Sequence, residues 1–320
     1  MNPCHSTPGP DVMTPLEKWT LIHYCSGMRN QTSRSAEHVA LFRALETARR
    51  RHRVFTDPYA KGFLTGTHRL VAALAALPAA GRRIEEYIDR RWPGGPRASA
   101  VARTRLIDDL ALEALARGAR QVILLGAGYD SRAYRLPGIA AARVFEVDHP
   151  ATQATKRRLV RATVHPSRRG HVRFVPVDLV TGDLAAALRT AGFAALEPTV
   201  VIWEGVTNYL TAAAVDATMR LIAASTASGS TLIFTYVDRA ALDGTGDFSG
   251  VTEWHAAVRH GGEPWTFGFA PAELPGYVAA RGLRLALDQS AREAADRYLE
   301  PLGRHEPAAS FYRIAQAEIL

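Results

Sequence analysis

Sulfur is scarce in this chain: Cys4 and Cys25 are the only cysteines among 320 residues. Both fall in a polar N-terminal stretch, so neither a disulfide framework nor a thiolate metal site is expected. Lysine is nearly absent as well, with Lys18, Lys61 and Lys156 the only three among 39 basic residues, and arginine therefore carries the net charge of +8. Clusters such as Arg49-Arg50-Arg51-His52-Arg53 and Arg168-Arg169 can contact phosphate. Acidic residues are interleaved with the scattered basic ones, however, and this reads as a solvated face rather than a nucleic-acid surface. No apolar run approaches the ~20 residues of a membrane span; Leu70 to Ala80 is too short and is flanked by arginines. Met1 to Pro15 is polar and proline-rich and lacks the apolar segment of a secretory signal. A cytoplasmic protein without membrane insertion is the expectation. The 11 histidines show neither His-x-x-x-His nor a His-Cys grouping, so no metal is expected. The Gly-x-Ser-x-Gly elbow of a hydrolase and the phosphate loop are both missing.

What the chain does have is Gln121-Val122-Ile123-Leu124-Leu125-Gly126-Ala127-Gly128-Tyr129-Asp130. The pattern is a buried strand, a tight glycine turn and then a helix from Ser131. The third glycine of the dinucleotide fingerprint is absent, so the turn alone is a weak signal. Arg143 to Asp148 is a second short strand, and the acid that ends it stands at the spacing from Gly128 that a ribose-binding acid has. An acid there can accept the hydroxyls of a ribose lying across the carboxyl ends of parallel strands, which points to a nucleoside cofactor.

The remaining pattern predicts strands at about 119–125, 143–147, 171–175, 199–203 and 229–235, with helices near 131–136, 149–164, 183–191 and 211–225 between them. That alternation predicts an α/β, doubly wound, mostly parallel sheet. A helix near 271–280, a strand near 283–288, a helix near 290–300 and a final strand near 310–318 complete it. Residues 1–32 read as a flexible tail. Residues 33–117 read as a helical cap, with helices from Ser33, over 69–91 and over 98–117. Residues 118–320 form the core, interrupted at 238–269 by a Gly- and Trp-containing insertion that reads either as a mobile substrate lid or as an inert surface excursion. Tyr134, Phe145, Tyr209 and Leu210 read as packing residues.

Four strand ends share one rim: Gly126, Asp148, Asp178 and Glu204. Asp178 can accept from an exocyclic amine while Leu179 packs on an adenine ring. After Glu204, Gly205 lets the chain turn. Ligands of open α/β sheets bind at this rim.

These segments resemble a class I S-adenosylmethionine-dependent methyltransferase of the leucine carboxyl methyltransferase-like family, in a bacterial form. The resemblance rests on Arg43-Ala44-Leu45-Glu46, Phe55-Thr56-Asp57-Pro58-Tyr59-Ala60, Gln121 through Leu136, Val144 through Pro150, Val175 through Leu179 and Glu204 through Leu210. It implies a seven-stranded Rossmann-like sheet in the order 3-2-1-4-5-7-6 with the last strand antiparallel, and S-adenosyl-L-methionine as cofactor. Gly126, Ala127 and Gly128 would approach its methionine part, Asp148 its ribose, and Asp178 and Leu179 its adenine. Glu204 and Gly205 would line the sulfonium region. The resemblance also places Arg103 at the active centre, meeting carboxylate, and Arg43 at the cofactor or substrate end of the cap. An arginine fork suits bidentate carboxylate recognition.

The expected activity is O-methylation of a carboxylate or hydroxyl of a small metabolite. A carboxylate is already ionised near neutral pH and needs alignment rather than a base. The sequence presents no convincing base, which tilts the choice toward carboxylate. A protein or peptide C-terminal carboxylate is an alternative acceptor. RNA methylation gains from the basic charge, but the fourth strand ends in Glu204-Gly205-Val206-Thr207 rather than the Asn/Asp-Pro-Pro-aromatic motif of base-amine methylation. A non-catalytic cofactor-binding protein is the last alternative. Oligomeric state is not legible.

Overall fold

A computed structural model describes residues 34–320, so the tail expected over 1–32 and both cysteines lie outside the described residues. The centre is a seven-stranded sheet: β1 (Gln121–Leu125), β2 (Arg143–Asp148), β3 (Val172–Pro176), β4 (Thr199–Trp203), β5 (Thr231–Val237), β6 (Leu283–Ser290) and β7 (Tyr312–Ile319). Its order is β3-β2-β1-β4-β5-β7-β6. The first five are parallel, and β7 runs antiparallel to β5 and to β6. The topology implied by the resemblance is therefore the one observed.

Alternation along the strands explains why both faces are covered. Val122 and Leu124 of β1, with Val144, Val200, Ile202 and Ile233, pack toward helices Arg34–Ala48, Pro96–Ala116 and Ala291–Tyr298. Their neighbours Ile123, Leu125, Phe145, Val147, Val201 and Trp203 pack on the other face, against Leu184–Thr190, Ala212–Ser225 and Leu274–Ala279. Every residue of β1 and β4 is buried. A run that is apolar on both faces belongs to a parallel strand with helices on either side. Helix starts are set locally: the Asp183 and Thr211 side chains accept from Ala186 NH and Ala214 NH, and Ser290 with Glu293 forms a capping box.

One helix departs from the sequence expectation. The segment 69–91 is two helices, Gly66–Leu74 and Pro78–Arg91. Pro78 occupies the first turn of the second helix, and Leu77 before it is extended (ψ 120°). Proline disfavours the helical conformation at the residue before it, and it is accommodated where no helical NH is needed. Among the described residues no helix is long and apolar enough to cross a membrane.

Candidate active site

One cavity of about 1340 Å³ opens at the carboxyl ends of β1, β2 and β4. Arg43, Arg103, Gly126, Ala127, Gly128, Asp148, Asp178, Leu179, Glu204 and Gly205 all line it, so the structure brings every sequence-derived candidate to one place. The volume exceeds the roughly 300–1,000 Å³ of a pocket for a single small ligand. It has room for a cofactor and a second molecule.

The glycine turn is shaped for close approach. Gly126 has φ +64°, and a Cβ there would collide with the Val206 side chain. Gly128 has φ +41°, and a Cβ there would lie 3.0 Å from the Ala36 Cβ of the helix Arg34–Ala48. Both positions suit glycine and leave the backbone open to the cavity. Beneath the turn, the buried Lys156 ammonium donates to the Ala127 carbonyl at 3.2 Å and pairs with Glu146 at 2.9 Å.

Asp148 accepts from the Gly128 NH at 2.6 Å through Oδ2 and from the His149 NH at 2.7 Å through Oδ1. Each carboxylate oxygen keeps further acceptor capacity for a ribose hydroxyl. Burial raises the Asp148 carboxyl above its ordinary range in spite of those two donors. Asp178 is more open. The Val180 NH, donating to Oδ1 at 2.8 Å, holds its carboxyl below the usual range.

A buried charge network forms the floor. Arg103 donates through Nε to Glu204 at 2.7 Å, and its guanidinium lies 4.8 Å from the centre of the Tyr312 ring. Arg132 bridges Glu204, Asp130 and Asp108, and Arg135 pairs with Asp108 at 2.6 Å. Arg43 donates to Asp57 at 2.8 Å, and Asp57 also accepts from Ser131. Four arginines thus face four carboxylates, and the floor is charge-balanced. Burial works against the charge on Glu204, but Arg132 and Arg103 outweigh it and hold the carboxyl below its usual range. The same contest, decided by Arg43 and Arg135, lowers Asp57. Among the described residues the Arg103 Nη groups have no protein acceptor.

Several lining residues escaped the sequence reading. Tyr209 and Leu210, read there as packing residues, reach the cavity, whereas Tyr134 packs edge-on against Tyr59 and Phe63, and Phe145 against Phe193. The insertion contributes Trp254 and Trp265, and Trp254 stacks nearly parallel (5°) on Tyr312. Its Glu263 accepts from the Ser35 NH at 3.2 Å and from the Ser35 hydroxyl, joining the insertion to the helix Arg34–Ala48. Glu37, His38 and His68 also line the cavity. Their spacing in sequence carried no signal. No group of three or more metal-ligating side chains occurs among the described residues.

The sheet order and a glycine-and-acid rim define a class, the Rossmann-like S-adenosylmethionine-dependent methyltransferases. Within it, the chain belongs to the leucine carboxyl methyltransferase family, whose profile matches residues 36–223. It is 38% identical over 209 residues to a Frankia alni protein assigned as an S-adenosyl-L-methionine-dependent methyltransferase, covering 65% of this chain and 70% of the relative. A Mycobacteroides abscessus protein of the same assignment is 39% identical over 222 residues, 69% of each chain. Among solved structures, a Thermobifida fusca protein described as a methyltransferase superposes with TM-score 0.53 at 20% identity, covering 75% of this chain and 88% of that one. A Streptomyces avermitilis DUF574 family protein gives TM-score 0.51 at 18% identity, covering 75% and 91%. These two likenesses concern the fold. The enzyme is an S-adenosylmethionine-dependent methyltransferase, and the open glycine turn and the acid beside it fit that cofactor.

Proposed function

We propose that the protein is an O-methyltransferase acting on a carboxylate or hydroxyl of a small metabolite. In this reading the methionine part of S-adenosylmethionine lies on Gly126-Ala127-Gly128, its ribose on Asp148, and its adenine beside Asp178 and Leu179. Glu204 and Gly205 line the sulfonium side. The bound cofactor supplies an electrophilic methyl group. The protein's part is to align an acceptor oxygen with it and exclude water.

The observation that carries the reading is Arg103. Its Nε is fixed by Glu204, its Nη groups have no protein acceptor among the described residues, and the residue lines the cavity that holds the glycine turn. A guanidinium so held can receive the cofactor's carboxylate or orient an acceptor. Arg43, held by Asp57 and the Tyr129 carbonyl, supports the same end of the site. Away from the glycine turn the cavity lining includes the apolar side chains Val71, Leu74, Ile84, Trp92 and Trp254, which suits an apolar small molecule. The insertion 238–269 acts as the lid of the cavity, held down by the Glu263–Ser35 contact.

The test is incubation of purified protein and methyl-labelled S-adenosylmethionine with fractionated extract of its own host, followed by mass spectrometry of the labelled product. A methylated small molecule is expected, and base-labile label marks an ester. Label on a protein C-terminus would favour the peptide acceptor, and label on RNA would reject the proposal.

A further inference from the structure

The cap carries an inverted apolar pattern. Its helices Gly66–Leu74 and Pro78–Arg91 are joined by Ala75, Ala76 and Leu77. Ala72 and Ala75 are buried, whereas Leu70, Leu74 and Leu77 are 56%, 44% and 59% exposed. Folding ordinarily works the other way, since a leucine gains more than an alanine by leaving water. Six large hydrophobic side chains are exposed among the described residues, and three of them stand within these eight positions. Exposed leucines scattered singly need no explanation, but a cluster marks a surface that meets something apolar.

The charges around the cluster have one sign. Residues 66–84 include Arg69, Arg82 and Arg83, all exposed, and contain neither Asp nor Glu. Glu85, next along the chain, is buried and pairs with Arg49 at 2.5 Å, and the first exposed acid is Glu86. Glu37 of the neighbouring helix is engaged by the Thr65 NH at 3.1 Å and the Thr65 hydroxyl at 2.8 Å. The cluster is also continuous with the site. Leu70 lies outside the cavity, whereas Leu74, Leu77 and Arg83 line it together with Val71 and Ile84. An apolar strip thus runs from the outer surface of the cap into the cavity.

We propose that this face docks the enzyme on an anionic bilayer surface. Leu70, Leu74 and Leu77 dip below the headgroups, and Arg69, Arg82 and Arg83 meet the lipid phosphates. A protein seated on Leu74 and Leu77 would stopper the cavity, whereas a bilayer leaves it open to apolar solutes. Docking of this kind needs only an apolar face beside basic residues and no membrane-spanning helix. The apolar acceptor proposed above would enter from that side, but the docking itself does not depend on the methyl-transfer reading.

The test uses the full chain and vesicles of phosphatidylcholine, alone or mixed with phosphatidylglycerol. Co-sedimentation reads the binding and needs neither cofactor nor turnover, so its failure leaves the methyl-transfer reading untouched. Wild type should bind the mixed vesicles and leave them as salt is raised. Arg69→Gln with Arg82→Gln should weaken binding about 30-fold. Leu70→Ser with Leu77→Ser should weaken it at least about tenfold. Both variants should keep the wild-type thermal midpoint, because all four side chains are exposed. Failure of wild type to bind mixed vesicles, equal binding to phosphatidylcholine alone, or wild-type binding by both variants overturns the proposal. Dimerisation abolished by Leu70→Ser with Leu77→Ser would give the face to a second copy of the chain. A disulfide between Cys25 and the thiol of Leu70→Cys would give it to the chain's own N-terminal stretch. Either result also overturns the proposal.

Discussion

Arg103 and Glu204 meet at 2.7 Å, tying the helix ahead of β1 to the end of β4. Glu204 also takes Arg132, so one carboxylate neutralises two buried guanidinium groups. Glu204→Gln removes that charge and leaves both arginines with incomplete compensation. Breaking a buried pair typically costs about 3–5 kcal/mol. Urea unfolding should show a loss of that order, and a change below about 1 kcal/mol would mean that water already screens the network.

Acid should undo the same network. Asp57, Asp130 and Glu204 all sit below their ordinary carboxyl range in the folded protein, because neighbouring arginines overcome the burial that opposes their charge. A depressed folded pKa contributes stability that is complete above the unfolded value, about 4, and is lost as pH falls through the folded value. Glu37, at about 2, places its own part of the loss between about pH 4 and 2. Thermal midpoints should therefore fall steeply below about pH 4. Glu204→Gln should flatten that fall, and an unchanged slope would contradict the sign.

Gly126→Ala should be felt twice. The residue holds φ +64°, a conformation costing an L-residue about 1–2 kcal/mol, and its Cβ would meet Val206 at the cavity. Calorimetry on the folded variant should show weakened S-adenosylmethionine binding. Wild-type affinity would mean that the turn does not touch the cofactor.

Asp148→Ala should weaken cofactor binding by about 1.5–4 kcal/mol, the order expected when hydrogen bonds to a charged acceptor are lost. Part of the loss comes from the Gly128 NH, which the carboxylate also holds. Asp148→Asn, which keeps the shape, should recover less than half of it. Equal affinity in Asp148→Ala would reassign the ribose site.

Arg103→Lys keeps the charge but loses the planar fork that reaches Glu204 and the cavity together. Once an acceptor is identified, kcat/KM should fall at least about tenfold, equivalent to about 1.4 kcal/mol of transition-state stabilisation. Paired cofactor titration tells whether the lost contact was to cofactor or acceptor. Wild-type turnover would remove Arg103 from the orienting role.

The gathering of the strand-end residues at one cavity was legible because its parts are local. A strand, the Gly126–Gly128 turn and the acid Asp148 at the next strand's end lie within one βαβ unit, and each announces itself through apolar run, glycine and charge. The split at Pro78 was also legible in principle, since proline is a stronger stop than the apolar pattern around it. The charge network was not. Asp57, in the cap, meets Ser131 and Arg135 beyond the first strand, and Arg132 meets Asp108 on a separate helix. Only packing chooses those partners from many arginines. Glu37 and His68, which sit on two different helices, were hidden for the same reason.

The place of β7 also bears on how the chain matures. It is last of the seven in chain order yet lies between β5 and β6, and Tyr312 at its start supports Arg103 and stacks on Trp254. During synthesis β6 emerges before the strand it pairs with, so its edge must wait unpaired while the segment 291–311 is made. Long-range strand insertion of this kind is slow relative to local helix formation. The wall shared by Arg103 and Trp254 is thus finished late, and a nascent chain that already has its glycine turn still lacks that wall of the cavity.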